Sequence, residues 1–172
     1  MSSPGVENPV RASIDTEPNR NPNAPEVNAR PSTRDELQAY MAATATGRFG
    51  WIYKEARPLT VPPLLAHGVV ADCSFGVTIV CAWAGLPDPT GGGYDGWGNS
   101  VSIFHHLPHV PVARGKVGDI LLFGVNGQDH ATMIYTPGAN PLLWSFGHQG
   151  APNLYPLSAD HRTPVTVCRI PA

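Results

Sequence analysis

Proline and glycine interrupt this chain so often that long uninterrupted helices are excluded. The 172 residues include 19 prolines and 18 glycines, which together are about twice the usual share. Proline removes a backbone hydrogen-bond donor and glycine weakens a helix interior, so the chain cannot form a helix bundle or a coiled coil. Hydrophobic residues still make up 42% of the chain, which is enough to bury the core of one domain.

The charge balance argues against polyanionic partners. With 11 basic and 13 acidic residues, the formal net charge is -2, and we predict binding to neither nucleic acid nor an anionic membrane. No apolar run is long enough to span a membrane, and the start of the chain lacks the features of a signal peptide. We therefore expect a soluble product that needs another route to any target outside the cell.

Residues 1–31 differ in composition from the rest of the chain. They contain six prolines, five asparagines and seven charged residues but no aromatic residue. Such a segment cannot bury enough apolar surface to offset the entropy lost on ordering. We predict a flexible or partner-bound N-terminal arm over residues 1–31 and one folded domain over residues 32–172.

The spacing of apolar residues predicts helices first and strands afterwards. One helix begins after a capping pattern at Ser32 and Thr33 and ends by Gly47, a second covers residues 73–84, and a short third lies within residues 99–107. Short apolar or alternating runs predict strands over residues 117–123, 131–135, 142–146 and 165–170. This order indicates an α+β domain in which a helix packs on a small antiparallel sheet.

The three cysteines are too few for a disulfide framework. Cys73 and Cys81 share the second predicted helix, where eight residues span about 12 Å, beyond the roughly 7 Å limit for a bridge. Cys168 could pair with either of them, but the burial typical of free cysteines favours structural thiols at Cys81 and Cys168.

Cys73 and His130 are the strongest candidates for catalysis. A thiol at the start of a helix lies near the positive end of the helix dipole and near unpaired backbone N–H groups, which favour the thiolate. His130 follows a turn and opens a predicted strand, where its ring can be held facing a helix terminus. A lone cysteine at a helix start more often has a packing role, and a lone histidine at a strand start is usually a surface or hydrogen-bonded residue, so neither residue alone decides the function.

We predict neither a metal nor a cofactor. His105, His106 and His109 are clustered, but Pro108 interrupts their helix and no second cysteine or acidic ligand lies at metal spacing. The triple glycine at residues 91–93 lacks the lysine and the strand-to-helix context of a phosphate loop.

Three motifs, in order, resemble the NlpC/P60 family of cysteine peptidases. They are Ala-Asp-Cys-Ser at residues 71–74 opening an apolar helix, Val-Gly-Asp-Ile-Leu-Leu-Phe at 117–123, and Asp-His-Ala at 129–131 opening a strand. Residues 83–89 and 144–147 look most like members encoded by phages of actinobacteria.

The resemblance implies a papain-like core and cleavage of peptidoglycan stem peptides, often between D-isoglutamate and a diamino acid. It also implies that Cys73 is the nucleophile and His130 the base. Tyr53, Asp72 and Ser74 match positions that line the substrate cleft in the family.

The third catalytic residue and the biological setting stay open in the sequence. The family places a polar residue where an ungapped match puts Phe146, so His148 or Ser145 is expected to orient the imidazole instead. A phage tail-associated peptidase or a free lysin is one hypothesis, with residues 1–31 binding other tail proteins. The alternatives are a structural virion protein on a peptidase fold and a Cys/His acyltransferase or deamidase.

Overall fold

The computed structural model describes residues 34–171. The arm predicted over residues 1–31 and the capping residues Ser32 and Thr33 lie outside this range and stay predictions. Between residues 34 and 171, no helix combines the length and the apolar character needed to cross a membrane.

Three α-helices lie within the described range, where the sequence predicts them. They are α1 (Arg34–Thr44), α2 (Cys73–Trp83) and α3 (Ser100–His106). Asn99 caps α3, because its side chain accepts a hydrogen bond from the Ser102 amide at 3.0 Å.

Eight strands form two sheets in residues 34–171. They are β1 (Ile52–Tyr53), β2 (Val70–Ala71), β3 (His109–Val110), β4 (Ile120–Phe123), β5 (His130–Thr136), β6 (Leu142–Ser145), β7 (Asn153–Pro156) and β8 (Val165–Cys168). The pair β1–β2 is parallel, and the other six form an antiparallel sheet in the order β3-β8-β4-β5-β6-β7. The predicted α+β architecture is therefore confirmed, with the four predicted strands β4, β5, β6 and β8 in its interior.

Helix α2 is buried on nearly all sides rather than along one face. Every residue from Ser74 to Cys81 is buried, as expected of a helix that is apolar around its circumference. Gly76 lies against β6 and the residue that follows it, because a Cβ at this position would lie 3.4 Å from the side chains of Trp144 and Phe146. The helix thus forms the centre of the larger hydrophobic core, against β5 and β6.

A second, smaller core covers the opposite face of the sheet. It consists of Leu121, Phe123, Ile134, Leu143 and Val167. Because side chains alternate across a strand, β4 sends residues to both cores and all four of them are buried.

Asp119 joins the first helix to the sheet. Its carboxylate is fully buried and forms ion pairs with Arg34 at 3.2 Å and Arg169 at 2.8 Å. The Val-Gly-Asp-Ile motif therefore has a structural function at the start of β4.

The described cysteines form no disulfide, and His109 of the histidine cluster contacts the backbone. Cys73, Cys81 and Cys168 are unpaired, and the prediction that Cys81 and Cys168 are buried thiols is confirmed. His109 bonds through Nε2 to the Phe104 carbonyl oxygen at 2.8 Å. Nowhere in residues 34–171 do three or more potential side-chain ligands come together around a common metal position.

Candidate active site

Asp72 determines where helix α2 begins and so where the Cys73 thiol lies. It is the N-cap residue, and its Oδ1 accepts hydrogen bonds from the Phe75 amide at 2.8 Å and from Ser74 Oγ at 2.9 Å. A capping carboxylate satisfies an otherwise unpaired amide of the first turn, so the Asp-Cys-Ser sequence starts the helix at Cys73.

Arg57 holds this cap in place. Its guanidinium forms an ion pair with Asp72 at 2.6 Å, donates to Ser74 Oγ at 3.2 Å and donates to the Gly98 carbonyl at 3.1 Å. Asp72 and Ser74 are only 8% and 3% exposed. Their contacts are thus with the protein itself, and their part in substrate binding stays a prediction.

Burial opposes the ionisation of the Cys73 thiol. Desolvation raises the pKa of the thiol, although hydrogen bonds from the backbone amides of Ala131 and Ser74 lower it in part. This effect of burial opposes the thiolate expected at the helix start, and that expectation stays a prediction. The influence of the Ala131 amide on this pKa is consistent with a position of the sulfur near the start of β5, the strand that His130 opens.

The hairpin between β4 and β5 positions His130. The Asp129 amide bonds to the Phe123 carbonyl at 3.0 Å, and Gly124 turns the chain with a φ of 85°. Any Cβ at Gly124 would lie 2.3 Å from the Asp129 side chain, so this turn requires glycine.

His130 is buried and neutral at ordinary pH. Its side chain is 7% exposed, and its Nε2 lies 2.8 Å from Ser145 Oγ. Burial, together with the positive charge of Arg162, lowers the pKa of His130 to about 4, despite the opposing effect of Asp160. A neutral imidazole can accept a proton, so the ring is in the state that a general base requires.

Ser145, rather than His148, contacts the imidazole. In the register of β5 and β6, Ser145 pairs with Thr132, and its side chain shares a sheet face with His130. His148 instead packs against the Tyr53 ring, with 4.2 Å between ring centroids. Phe146 is buried against Trp51 at 5.1 Å, so the apolar residue at the expected position belongs to the core.

Two cavities lie near these residues within the described part of the chain. The larger, of about 520 Å³, is lined by Tyr53, His130 and His148 among others. The smaller, of about 320 Å³, is lined by residues that include Asp72. Glu55 borders both cavities, whereas the residues lining them do not include Cys73 or Ser74.

Sequence reasoning missed several polar residues around the imidazole. Tyr155, Asp160 and Arg162 line the larger cavity with Ser145. Tyr155 is on β7, which was not predicted, and the other two follow it in a loop. A signal for Ser145 was present, because strict alternation along β6 places Ser145 opposite to the core residues Trp144 and Phe146.

Comparisons with known proteins find similarity only among solved structures. No family model matches the sequence. No curated protein matches it either.

The structural neighbours are NlpC/P60 domain proteins. The peptidoglycan hydrolase RipB of Mycobacterium tuberculosis has a TM-score of 0.52 and 22% identity, over 81% of this chain and 67% of that one. The P60 domain of the M. avium subspecies paratuberculosis antigen MAP1204 has a TM-score of 0.52 and 18% identity, over 81% of this chain and 98% of that one. The M. tuberculosis hypothetical invasion protein Rv1477 has a TM-score of 0.51 and 20% identity, over 82% of this chain and 65% of that one. At these identities the likeness establishes the fold, which is that of an NlpC/P60 domain.

Proposed function

We propose that this chain is a cysteine peptidase that hydrolyses the stem peptides of bacterial peptidoglycan, at the bond between D-isoglutamate and the diamino acid. The main support for the proposal is the arrangement of Cys73 and His130. Cys73 is the first residue of a buried helix that packs on β5, the strand that His130 opens, and His130 Nε2 lies 2.8 Å from Ser145 Oγ. The likeness of the fold to that of RipB, a peptidoglycan hydrolase, supports the choice of substrate.

The reaction starts from a neutral thiol and a neutral imidazole. His130 takes the Cys73 proton as the sulfur attacks the amide carbon, and a tetrahedral intermediate forms. Backbone N–H groups near the start of α2 stabilise its oxyanion. The imidazolium then protonates the leaving amine, and water hydrolyses the thioester to release the acid and restore the thiol.

The larger cavity is the proposed binding site for the stem peptide. Tyr53 and His148 form a stacked pair at its edge, and the Tyr53 hydroxyl donates to Glu55 at 3.1 Å. The aromatic faces provide apolar contact, and the carboxylate of Glu55 provides a site for an amino group of the substrate. In this proposal Asp72 and Ser74 shape the adjacent wall through Arg57.

The test is hydrolysis of purified peptidoglycan by the full chain. New amino groups are quantified and the products identified by mass spectrometry, for the parent, Cys73→Ala and Cys81→Ala. The matched control removes a fully buried thiol two helical turns away. We expect activity in the parent and the control and none in Cys73→Ala.

Two outcomes contradict the proposal. Equal release by the parent and Cys73→Ala would exclude a Cys73 nucleophile, and no release by a folded parent would favour a structural virion protein. Adding an amine acceptor distinguishes the third alternative, because an acyltransferase would form a new amide in place of the free acid.

The phage-tail setting and the binding of tail proteins by residues 1–31 stay predictions. Deleting residues 1–31 and measuring incorporation into phage particles tests both. Unchanged incorporation would contradict an attachment role for the arm.

A further inference from the structure

An N-cap carboxylate lies directly before the proposed nucleophile. Asp72 precedes Cys73 in the chain, and its Oδ1 accepts hydrogen bonds from the Phe75 amide and from Ser74 Oγ. A negative charge at the start of a helix stabilises the helix, but it opposes the formation of a thiolate beside it. Burial raises the pKa of the Cys73 thiol, and the negative charge of Asp72 raises it further. The cap therefore favours the fold and disfavours the ionised form of Cys73.

The Arg57 guanidinium lies against the other oxygen of this carboxylate. Its Nη2 is 2.6 Å from Asp72 Oδ2, whereas the helix amide and Ser74 bond to Oδ1. The Arg57 and Asp72 side chains are 17% and 11% exposed, so water and salt screen this pair less than they would screen a surface pair. Arg57 thus places a positive charge against the residue that precedes Cys73.

Further contacts fix the guanidinium at this position. Nε donates to the Gly98 carbonyl at 3.1 Å, Nη1 donates to the Ala56 carbonyl at 2.7 Å, and Nη2 also donates to Ser74 Oγ at 3.2 Å. Each of the three guanidinium nitrogens therefore has an acceptor within the protein. Because these donors are already used, the geometry indicates a role of Arg57 toward Asp72 rather than toward a substrate anion.

Arg57 is the only basic residue among those that line the smaller cavity in the described part of the chain. Two acidic residues, Glu55 and Asp72, line the same cavity. Without Arg57, both carboxylates would border the cavity with no cation among its lining residues. The negative charge beside Cys73 would then be uncompensated.

We propose that Arg57 is a positioning residue whose charge compensates the Asp72 carboxylate, so that Asp72 can cap helix α2 without suppressing the reactivity of Cys73. Arg57 acts on the thiol through Asp72. The inference rests on the proposed function only in assigning Cys73 its use as the nucleophile. Charge compensation, unlike a purely structural clamp, predicts effects of opposite sign when the two partners are neutralised one at a time.

Three variants at two positions test this difference in sign. Arg57→Gln removes the positive charge, so Cys73 should react more slowly. Asp72→Asn removes the negative charge but keeps a cap, because asparagine and aspartate cap helices about equally well, so Cys73 should react faster. The double variant Arg57→Gln/Asp72→Asn is neutral at both positions and should restore the rate of the parent. Arg48→Gln is the matched control, because it removes an exposed arginine that lies over the Phe49 ring.

Other ionisable groups also surround the thiol. Tyr53 on β1 and Arg162 before β8 interact electrostatically with Cys73, and His130 opens β5, against which α2 packs. All three are unchanged in every variant, so differences in rate report the charges at positions 57 and 72.

The expected change in rate is at least about threefold. The thiolate is the reactive form, and a neighbouring charge changes a pKa by about 1–3. The lower limit alone changes the thiolate fraction about tenfold. The accompanying change in intrinsic nucleophilicity has the opposite sign and offsets about half of this effect on a logarithmic scale.

The assay follows alkylation of the full chain by iodoacetamide at neutral pH, without substrate. The reagent is uncharged, so the substituted charges do not steer it. Cys73 is half-buried whereas Cys81 and Cys168 are buried, and Cys73→Ala identifies the contribution of Cys73 by mass spectrometry. We expect slower alkylation in Arg57→Gln, faster alkylation in Asp72→Asn, and the rate of the parent in the double variant and in Arg48→Gln.

Equal rates in the parent and Arg57→Gln would overturn the inference. So would slower alkylation in both single variants, which would indicate that the pair only holds the cap in shape. If Arg57→Gln does not fold, the double variant decides. A folded double variant that reacts at the rate of the parent supports charge compensation, and one that reacts more slowly contradicts it.

Peptidoglycan hydrolysis by the same proteins separates this inference from the proposed function. We expect Arg57→Gln to lower kcat by a factor similar to that for alkylation, with KM little changed. Opposite effects of the single variants on alkylation, with no hydrolysis by the parent, would support charge compensation and refute the peptidase. Hydrolysis by the parent, with equal alkylation of the parent and Arg57→Gln, would do the reverse.

Discussion

Lowering the pH from about 7 to about 4.5 should cost the folded state about 2 kcal/mol through His130 alone. Folding lowers the pKa of this imidazole from 6.5 to about 4, first by burial and then by the charge of Arg162. Between these values the unfolded chain binds a proton that the folded chain does not, so stability rises with pH. The contribution is fully present above the unfolded pKa and is lost as the pH falls toward the folded pKa.

Urea unfolding at a series of pH values measures this effect. Other groups also titrate, so the informative quantity is the difference in pH dependence between the parent and His130→Gln, whose amide can still bond to Ser145. The matched control is His105→Gln, which makes the same substitution at an exposed histidine on α3. Equal pH dependence in the parent and His130→Gln would refute the reasoning that burial keeps this ring neutral.

Three packing predictions can be checked by chemical denaturation. Thr44→Val should cost about 1–3 kcal/mol, because the buried Trp144 indole N–H bonds to Thr44 Oγ1 at 2.9 Å and would lose its acceptor. Gly76→Leu should cost about 1–3 kcal/mol by driving a side chain into Phe146, whereas Gly76→Ala, with its Cβ at 3.4 Å, should cost little. Asp119→Ala should cost about 3 kcal/mol, because it removes the buried partner of two arginines. For Thr44→Val, Gly76→Leu and Asp119→Ala, an unfolding free energy within about 0.5 kcal/mol of the parent would contradict the expectation.

The sequence predicted those elements whose signals are local. Helix α2 has a polar cap, an apolar interior and a glycine stop within the fourteen residues from Asp72 to Gly85, and β4 and β5 are apolar runs bounded by turns. The edge strand β7 was missed because Pro156 lies in it, and proline is tolerated only where one side of a strand has no partner. The two-residue strands β1 and β2 carry no periodicity at all.

Some residues of the candidate site could likewise be predicted from local sequence, and others could not. Cys73 and His130 each stand at the start of an element, which a motif can reveal. Ser145 was predicted only as the alternative to His148, because a serine on a strand has no chemical distinction until the register places it beside an imidazole. Tyr155 and Asp160 lie 25 and 30 residues beyond His130, and only the folding of β7 and its loop brings them together.

Burial connects the protonation state of the proposed catalytic pair, Cys73 and His130, to the contact behind the imidazole. Desolvation raises the pKa of Cys73 and lowers that of His130, so the same physical cause drives both groups toward their neutral forms. An imidazolium in a thiolate–imidazolium pair would carry protons on both nitrogens, and the choice of tautomer would then not arise. A neutral imidazole has two tautomers, of which only one leaves Nδ1 free to take the thiol proton. A buried, neutral pair therefore depends on the contact behind the imidazole, where Ser145 Oγ lies 2.8 Å from His130 Nε2.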